Sequence, residues 1–341
     1  MADCPGVVLI VLDGVRWQEI YRGVDSDLAD KSELGGDERG SGRRLMPNLW
    51  NLIETRGIAL GHPDERGGVE ASGPDYVSLP GYAEIFTGRT SAGCFSNDCE
   101  PHLTSTLADE FRALAGARDE DVAIIASWEK IERVAAATPA RIVVSTGRLH
   151  GASRERLRYD PEASALLDEG ERAGPWPGSQ GFRPDRITSA IGLRYLAQKK
   201  PRFLFLGLGE SDEFAHMGDY HNYLGSLRYA DQVIGEVVRT LDAMGEAGRR
   251  TSLIVTTDHG RSYGFREHGG SSPESRTVWV VGAGGNIPSG GIVPLERTRR
   301  LADLAPTIRA LAGLPTDTDR GAGSVIEELI RPPASSPLPR R

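Results

Sequence analysis

The chain has few cysteines, no long apolar run and no surplus of basic residues, and each shortage removes a class of explanation. Three cysteines in 341 residues cannot supply a disulfide framework, although Cys94 and Cys99 stand close enough to close a small loop in an oxidising compartment. Paired or reduced, the two readings remain open. No apolar stretch approaches the roughly 18 residues needed to cross a bilayer, so no membrane span is expected. There is no excess of basic charge: Lys and Arg number 40 against 48 Asp and Glu, a net charge of −8, which disfavours a nucleic acid polymer as partner. The Arg-rich points, Arg43 with Arg44, Arg249 with Arg250, and Arg297 with Arg299 and Arg300, are interleaved with acids and read as solvated faces. The apolar run at the start ends in Asp13 and lacks a basic leader and cleavage site. The compartment is therefore undetermined, periplasmic or secreted being favoured if a leader has been removed and cytoplasmic otherwise.

What is present is alternation. Val7 to Leu12 is a continuous β-branched run closed by Asp13-Gly14, the pattern of a strand buried on both faces. Similar runs occur at Val122 to Ala126, Arg141 to Ser145, Phe203 to Leu208, Ser252 to Thr257 and Thr277 to Val281. Helical patterns separate them: Met46 to Arg56 with Pro47 in its first turn, Leu103 to Ala115, Arg186 to Gln198, Tyr220 to Met244, and Leu301 to Ala312 stopped by Gly313. Strand and helix in turn predict an α/β fold, a mostly parallel central sheet with helices on both faces, within one catalytic unit over residues 1–330. Two polar, Gly-punctuated segments, Asp25 to Gly42 and Gly147 to Gly181, read as excursions, the second (147–181) as a substrate cap. The Pro-rich tail 331–341 is expected to be disordered.

Ligands of open α/β sheets gather beyond the carboxyl ends of the strands, and those ends are unusually polar here. Asp13 closes the first strand, Asp212 and His216 follow Phe203 to Leu208, Asp258 and His259 close Ser252 to Thr257, and His268 lies in the next loop. Taken singly, Asp13-Gly14 is also what a turn requires, and Asp212 and His216 stand at a common helical spacing. Taken together, three of only seven histidines fall at or near these ends beside carboxylates. The set reads as a metal site whose oxygen and imidazole donors suit Zn²⁺, with Mn²⁺ or Mg²⁺ as harder alternatives. Six side chains exceed what one catalytic zinc needs, so two ions are expected.

Asp13 in Val-Leu-Asp-Gly-Val-Arg, the Asp212 to His216 spacing, Thr257-Asp258-His259-Gly260 and Glu267-His268-Gly269 resemble the metal motifs of the alkaline phosphatase superfamily, particularly its nucleotide pyrophosphatase/phosphodiesterase branch. The likeness runs from residue 7 to about 325 and extends to bacterial phosphatase-family and phosphoglyceromutase-like proteins. It implies an alkaline phosphatase-like three-layer sandwich and a nucleophile at Ser78, in Val77-Ser78-Leu79-Pro80-Gly81-Tyr82 through Thr87-Gly88. It further implies that Asp212, His216 and His268 hold one zinc, and that Asp13, Asp258, His259 and the Ser78 oxygen hold the other. The implied activity is hydrolysis of a small phosphate monoester or diester through a phosphoserine. Pro80 at a helix start is expected to leave the Leu79 N–H free for a phosphoryl oxygen.

The sequence also departs from the family pattern. Diesterase relatives carry Asn after the motif proline, where this chain has Gly81; Asn97 and Lys130 are the candidates to contact phosphate instead. A sulfatase, an alternative along with a phosphonate hydrolase, requires Arg where this chain has Tyr82. Phosphoglycerate mutases insert a second domain after the serine, for which there is no room. Alternatives of another class are a catalytically silent, metal-stabilised binding protein and a metal-independent serine hydrolase. The oligomeric state is not readable.

Overall fold

The computed structural model describes residues 5–90, 93–148, 154–315 and 322–331; positions 332–341 of the expected tail lie outside the described residues. The larger sheet has eight strands. They are β1 (Val7–Leu12), β2 (Gly57–Leu60), β4 (Val122–Ala126), β5 (Val143–Thr146), β6 (Phe203–Leu208), β7 (Ser252–Thr256), β9 (Val280–Gly284) and β10 (Gly291–Ile292). Three two-residue strands, β3 (Val69–Glu70), β8 (Thr277–Val278) and β11 (Arg299–Arg300), form a small second sheet. The large sheet runs β10-β2-β9-β7-β1-β6-β4-β5, and only β9 is antiparallel to its neighbours.

β1 shows why the apolar runs are continuous. Val8, Ile10 and Leu12 enter one core; Val7, Leu9 and Val11 enter the other. The first core is covered by helices Pro47–Arg56, Asp185–Lys199 and Tyr220–Ala243, the second by Ser78–Thr87, Leu107–Ala113 and Leu304–Ala312. Each of these six side chains is no more than 1% exposed, and burial of such a residue is worth about 1.5–3 kcal/mol. The layering therefore fixes which strands lie in the middle, and with them the sheet edge where the polar residues collect.

Some boundaries differ from expectation for identifiable reasons. Helix Leu107–Ala113 starts later than Leu103 because Thr106 caps it, exchanging hydrogen bonds with Asp109. The expected strand Thr277 to Val281 divides at Trp279 between the two sheets. β2 follows directly on helix Pro47–Arg56, Gly57 being both the helix C-cap and the first residue of the strand, and its four residues are too few to show a strand pattern of their own. The two excursions contain helices of their own, Ser26–Lys31 and Pro161–Arg172, each capped by an Asp side chain. Among the described residues no helix is long and apolar enough to cross a membrane.

Candidate active site

The three ligand-bearing elements follow neighbouring strands. β1 lies between β6 and β7, with Leu12 opposite Leu208 and Val11 opposite Thr256. Asp13 and Asp258 thus both stand two residues beyond the Val11–Thr256 pair, and helix Glu210–Met217, leaving β6, carries Asp212 and His216 on one face. Two trios result, Asp13 with Asp258 and His259, and Asp212 with His216 and His268, each with ligand atoms within 4.8 Å of one another. His259 Nε2 is 4.0 Å from Asp212 Oδ1, so the trios adjoin.

Ser78 opens helix Ser78–Thr87 and faces the first trio. Its Oγ lies 3.3 Å from Asp13 Oδ1 and 3.2 Å from His259 Nε2. Two glycines allow this closeness. Gly14, at φ +62°, donates its N–H to Asp258 Oδ1 at 3.0 Å, and a Cβ there would sit 2.5 Å from Asp212 Oδ1. At Gly81 a Cβ would meet the Asp258 carbonyl at 2.3 Å; the asparagine of the diesterase pattern has no room because the helix that Ser78 opens packs on the Asp258 backbone.

Electrostatically the two trios are unbalanced. Burial, reinforced by the neighbouring charges of Asp258 and Asp212, pushes Asp13 well above the usual carboxylate range. Burial likewise lifts Asp258 to about 7. For Asp212 burial also acts upward, but the Arg261 guanidinium, with His268 and His216, overrides it and holds the carboxyl well below its ordinary value. Burial depresses His259 to about 4 and, with the charge of His259, His268 to about 3. His216 rises through its hydrogen bond to Asp212.

The donors fit a pair of divalent cations. Asp258 Oδ2 is buried and has no hydrogen-bond partner among the described residues, a costly state for a carboxylate oxygen unless a cation meets it. His259 Nδ1 is 2.8 Å from the Gly260 carbonyl and His268 Nδ1 is 2.9 Å from the Tyr76 carbonyl. Each Nδ1 must carry the proton to donate there, which leaves Nε2 as a lone-pair donor aimed into the site.

Several functional neighbours carry no sequence signature. Tyr82 donates its hydroxyl to Asp13 Oδ2 at 2.9 Å. Arg261 is buried; it bonds Asp212 and donates to the Phe265 and Arg266 carbonyls, both at 2.6 Å. Asp185, also buried, accepts from Gly209 N at 2.9 Å and Glu210 N at 3.0 Å, while its own N–H donates to Glu210 Oε1 at 2.9 Å. That exchange fixes the start of the helix bearing Asp212 and His216. A helical cap supplied from elsewhere in the chain could not be read from local pattern.

The expected free Leu79 N–H is corrected: it donates to Asn97 Oδ1 at 2.9 Å. A Cys94–Cys99 disulfide closes the loop that brings Asn97 there. Lys130 belongs to the same assembly, its ammonium donating to the Asn97 carbonyl at 3.0 Å and to Asp98 Oδ1 at 2.9 Å. Asn97 is thus brought to the helix that Ser78 opens and Lys130 to the Asn97 loop, with the Lys130 charge balanced by Asp98.

A parallel sheet presenting two carboxylate and histidine trios beside a helix-terminal hydroxyl defines a member of the alkaline phosphatase superfamily. The chain belongs to the Sulfatase family, whose model, described as Sulfatase, matches residues 46–314. A phosphonate monoester hydrolase from Silicibacter pomeroyi superposes with a TM-score of 0.61 at 17% identity, over 97% of this chain and 78% of that one. A putative sulfatase from Bacteroides thetaiotaomicron gives 0.62 at 14% identity, over 96% and 75%. A 2,3-bisphosphoglycerate-independent phosphoglycerate mutase from Cereibacter sphaeroides is 32% identical over 147 residues, 42% of this chain and 26% of that protein. The chain therefore spans well under two thirds of the length of such curated relatives.

Proposed function

We propose that this protein is a metal-dependent hydrolase of small phosphoric esters, monoester or diester, in which Ser78 is the nucleophile. The observation that carries this reading is the Ser78 hydroxyl held 3.2–3.3 Å from one member of each donor type, His259 and Asp13, beside an Asp258 oxygen with no hydrogen-bond partner among the described residues. Asp13, Asp258 and His259, with the Ser78 oxygen, would hold one Zn²⁺, and Asp212, His216 and His268 the other; Mn²⁺ or Mg²⁺ are the harder alternatives. Bound there, the ions supply Lewis acidity and make oxygen nucleophiles available at neutral pH.

The residues of the chain do the positioning. The Ser78 oxygen forms a bond to phosphorus as the ester oxygen departs with its electron pair and takes up a proton, giving alcohol and phosphoserine. Water then cleaves the phosphoserine and restores the hydroxyl. Asn97, its Oδ1 committed to Leu79, has its Nδ2 group to offer a phosphoryl oxygen, and Lys130 steadies that loop.

A second reading, sulfuric ester hydrolysis, is favoured by the family match and by the sulfatase and phosphonate hydrolase neighbours. Against it, the position where a sulfatase carries arginine is Tyr82, buried and bonded to Asp13. Aryl phosphate, bis-aryl phosphate and aryl sulfate compared with added zinc distinguish the two, phosphate turnover being expected to dominate. Ser78→Ala should lose at least about a hundredfold in rate while keeping its metal; a smaller loss refutes the covalent route.

A further inference from the structure

Asn97 reaches the start of the helix that Ser78 opens although nothing regular in the backbone carries it there. Residues 93–106 form no helix or strand. Among the described residues, the stretch from Gly93 to Cys99 has hydrogen bonds to the rest of the protein at two places. One is Leu79, whose N–H donates to Asn97 Oδ1 at 2.9 Å; the other is Lys130, which donates to the Asn97 carbonyl at 3.0 Å and to Asp98 Oδ1 at 2.9 Å. The ion pair in the second tie is weak, because Asp98 is 88% exposed and a pair in water contributes little. Within the loop, Cys99 N donates to the Ser96 carbonyl and Asp98 N to Ser96 Oγ, both at 3.2 Å, which shapes a turn without fastening it.

The fastening is covalent. Cys94 is buried in the second core and lines a small hollow with Val77, Pro80, Gly81 and Asp258 at the start of the same helix. Its bond to Cys99 therefore ties the outer end of the loop to the packing around that helix and holds residues 95–98 in a closed ring. Phe95, Ser96 and Asp98 are exposed, so little packing keeps them in place once the ring opens, and an open chain has many more conformations than a closed one. While the ring is closed the Asn97 amide has one orientation. Leu79 offers a donor, which only the amide oxygen can accept. Nδ2 is left with no hydrogen-bond partner among the described residues, beside the residue that follows Ser78.

We infer that turnover is under thiol–disulfide control, with Cys94 and Cys99 as positioning residues: closed, the disulfide holds Asn97 where its Nδ2 meets a phosphoryl oxygen, and opened by a dithiol it releases Asn97. This rests on the phosphoric-ester reading and adds regulation to it. Cys99 is half-buried, so a thiolate of the dithiol reaches its sulfur. Attack there forms a mixed disulfide and expels Cys94 as thiolate, which takes up a proton. The second thiol of the reductant then expels Cys99 in the same way. The reductant departs as a cyclic disulfide, having given two electrons, and both cysteines are left as thiols.

The test is a double-mutant cycle on the zinc-loaded protein with an aryl phosphate. Wild type and Asn97→Ala are each assayed oxidised, and again after treatment with dithiothreitol, desalting without oxygen and reloading with zinc. Zinc content and Tm are measured for every form. Reduction should lower kcat/KM of the wild type by at least about tenfold, the scale of one hydrogen bond to a charged group, and reoxidation should restore it. Asn97→Ala should show the same loss while oxidised and less than about twofold more on reduction, because both changes remove one interaction. The variant Cys94→Ser, Cys99→Ser should match the reduced wild type. An unchanged rate on reduction overturns the inference. Losses that multiply in Asn97→Ala overturn it too, as does a reduced form that has unfolded at the assay temperature, since the disulfide then serves stability alone. If the oxidised wild type turns over aryl sulfate and no phosphate ester, the phosphoric-ester reading falls instead, and the same cycle on the sulfate decides this one. No turnover of any ester overturns both.

Discussion

The two trios use the same kinds of side chain in different surroundings. Asp13, Asp258 and His259 are buried and lie beside Ser78, and burial, with the charges of neighbouring carboxylates, drives the two carboxyls upward. Asp212 is held down by Arg261, and its partner His216 reaches solvent. One half keeps its carboxyl charges without a guanidinium to meet them, while in the other Arg261 already does so.

Mutations of opposite sign would break this contrast most sharply. Asp258→Asn and Asp212→Asn should each cost at least about a hundredfold in activity, the scale of removing an electrostatic contributor. In metal-free protein, however, the first should raise Tm by relieving repulsion and the second should lower it by stranding Arg261; equal shifts in a thermal melt would refute the asymmetry. Exposure gives a second contrast. His216→Gly should recover about tenfold in rate with added imidazole, on the scale of ligand-shell effects, and His259→Gly should not, because its imidazole is fully enclosed.

Arg261→Met leaves the Asp212 charge without its partner, and loss of one member of a buried pair costs about 3–5 kcal/mol. The stabilisation produced by zinc should be larger in this variant than in the wild type, read as the difference in Tm with and without chelator. The smallest effect is a slope. Burial lifts Asp185 to about 6, against about 3.9 in an unfolded chain. A carboxyl raised on folding contributes stability that is complete below the unfolded value and is lost as pH rises through the folded one. Between about pH 4 and 6, Asp185→Asn should show a flatter change of stability with pH than the wild type, measured by denaturant unfolding at each pH.

The sequence was informative where one residue type has few ways to be satisfied. A strand buried on both faces must be apolar throughout, so β1, β6 and β7 were legible, and polar residues at their ends stood out against that background. Their strand order brings Asp13, Asp212, His216, Asp258, His259 and His268 together as expected. Arg261, Tyr82 and Asp185 were invisible because an arginine, a tyrosine or an aspartate acquires its role only from partners distant in sequence. Leu79 failed for a related reason, since its N–H was judged from Pro80 alone and the partner that takes it arrives from Asn97. β2 was missed because Gly57 marks only the end of the helix, and the three residues after it are too few to show a strand pattern.

Gly147 and Gly181 end the excursion between them almost in contact. Arg148 N donates to the Gly181 carbonyl at 3.2 Å, and Gly147 N bonds Ala126 at the end of β4. Chain that leaves and re-enters a scaffold at neighbouring points can change its length at little cost in closure entropy. The segment is nevertheless woven into the scaffold and is no appendage: Leu157 and Leu167 are buried in the first core and Asp160 accepts from Arg194 of helix Asp185–Lys199 at 2.7 Å, so its length can change freely only in the stretches that lie outside that packing.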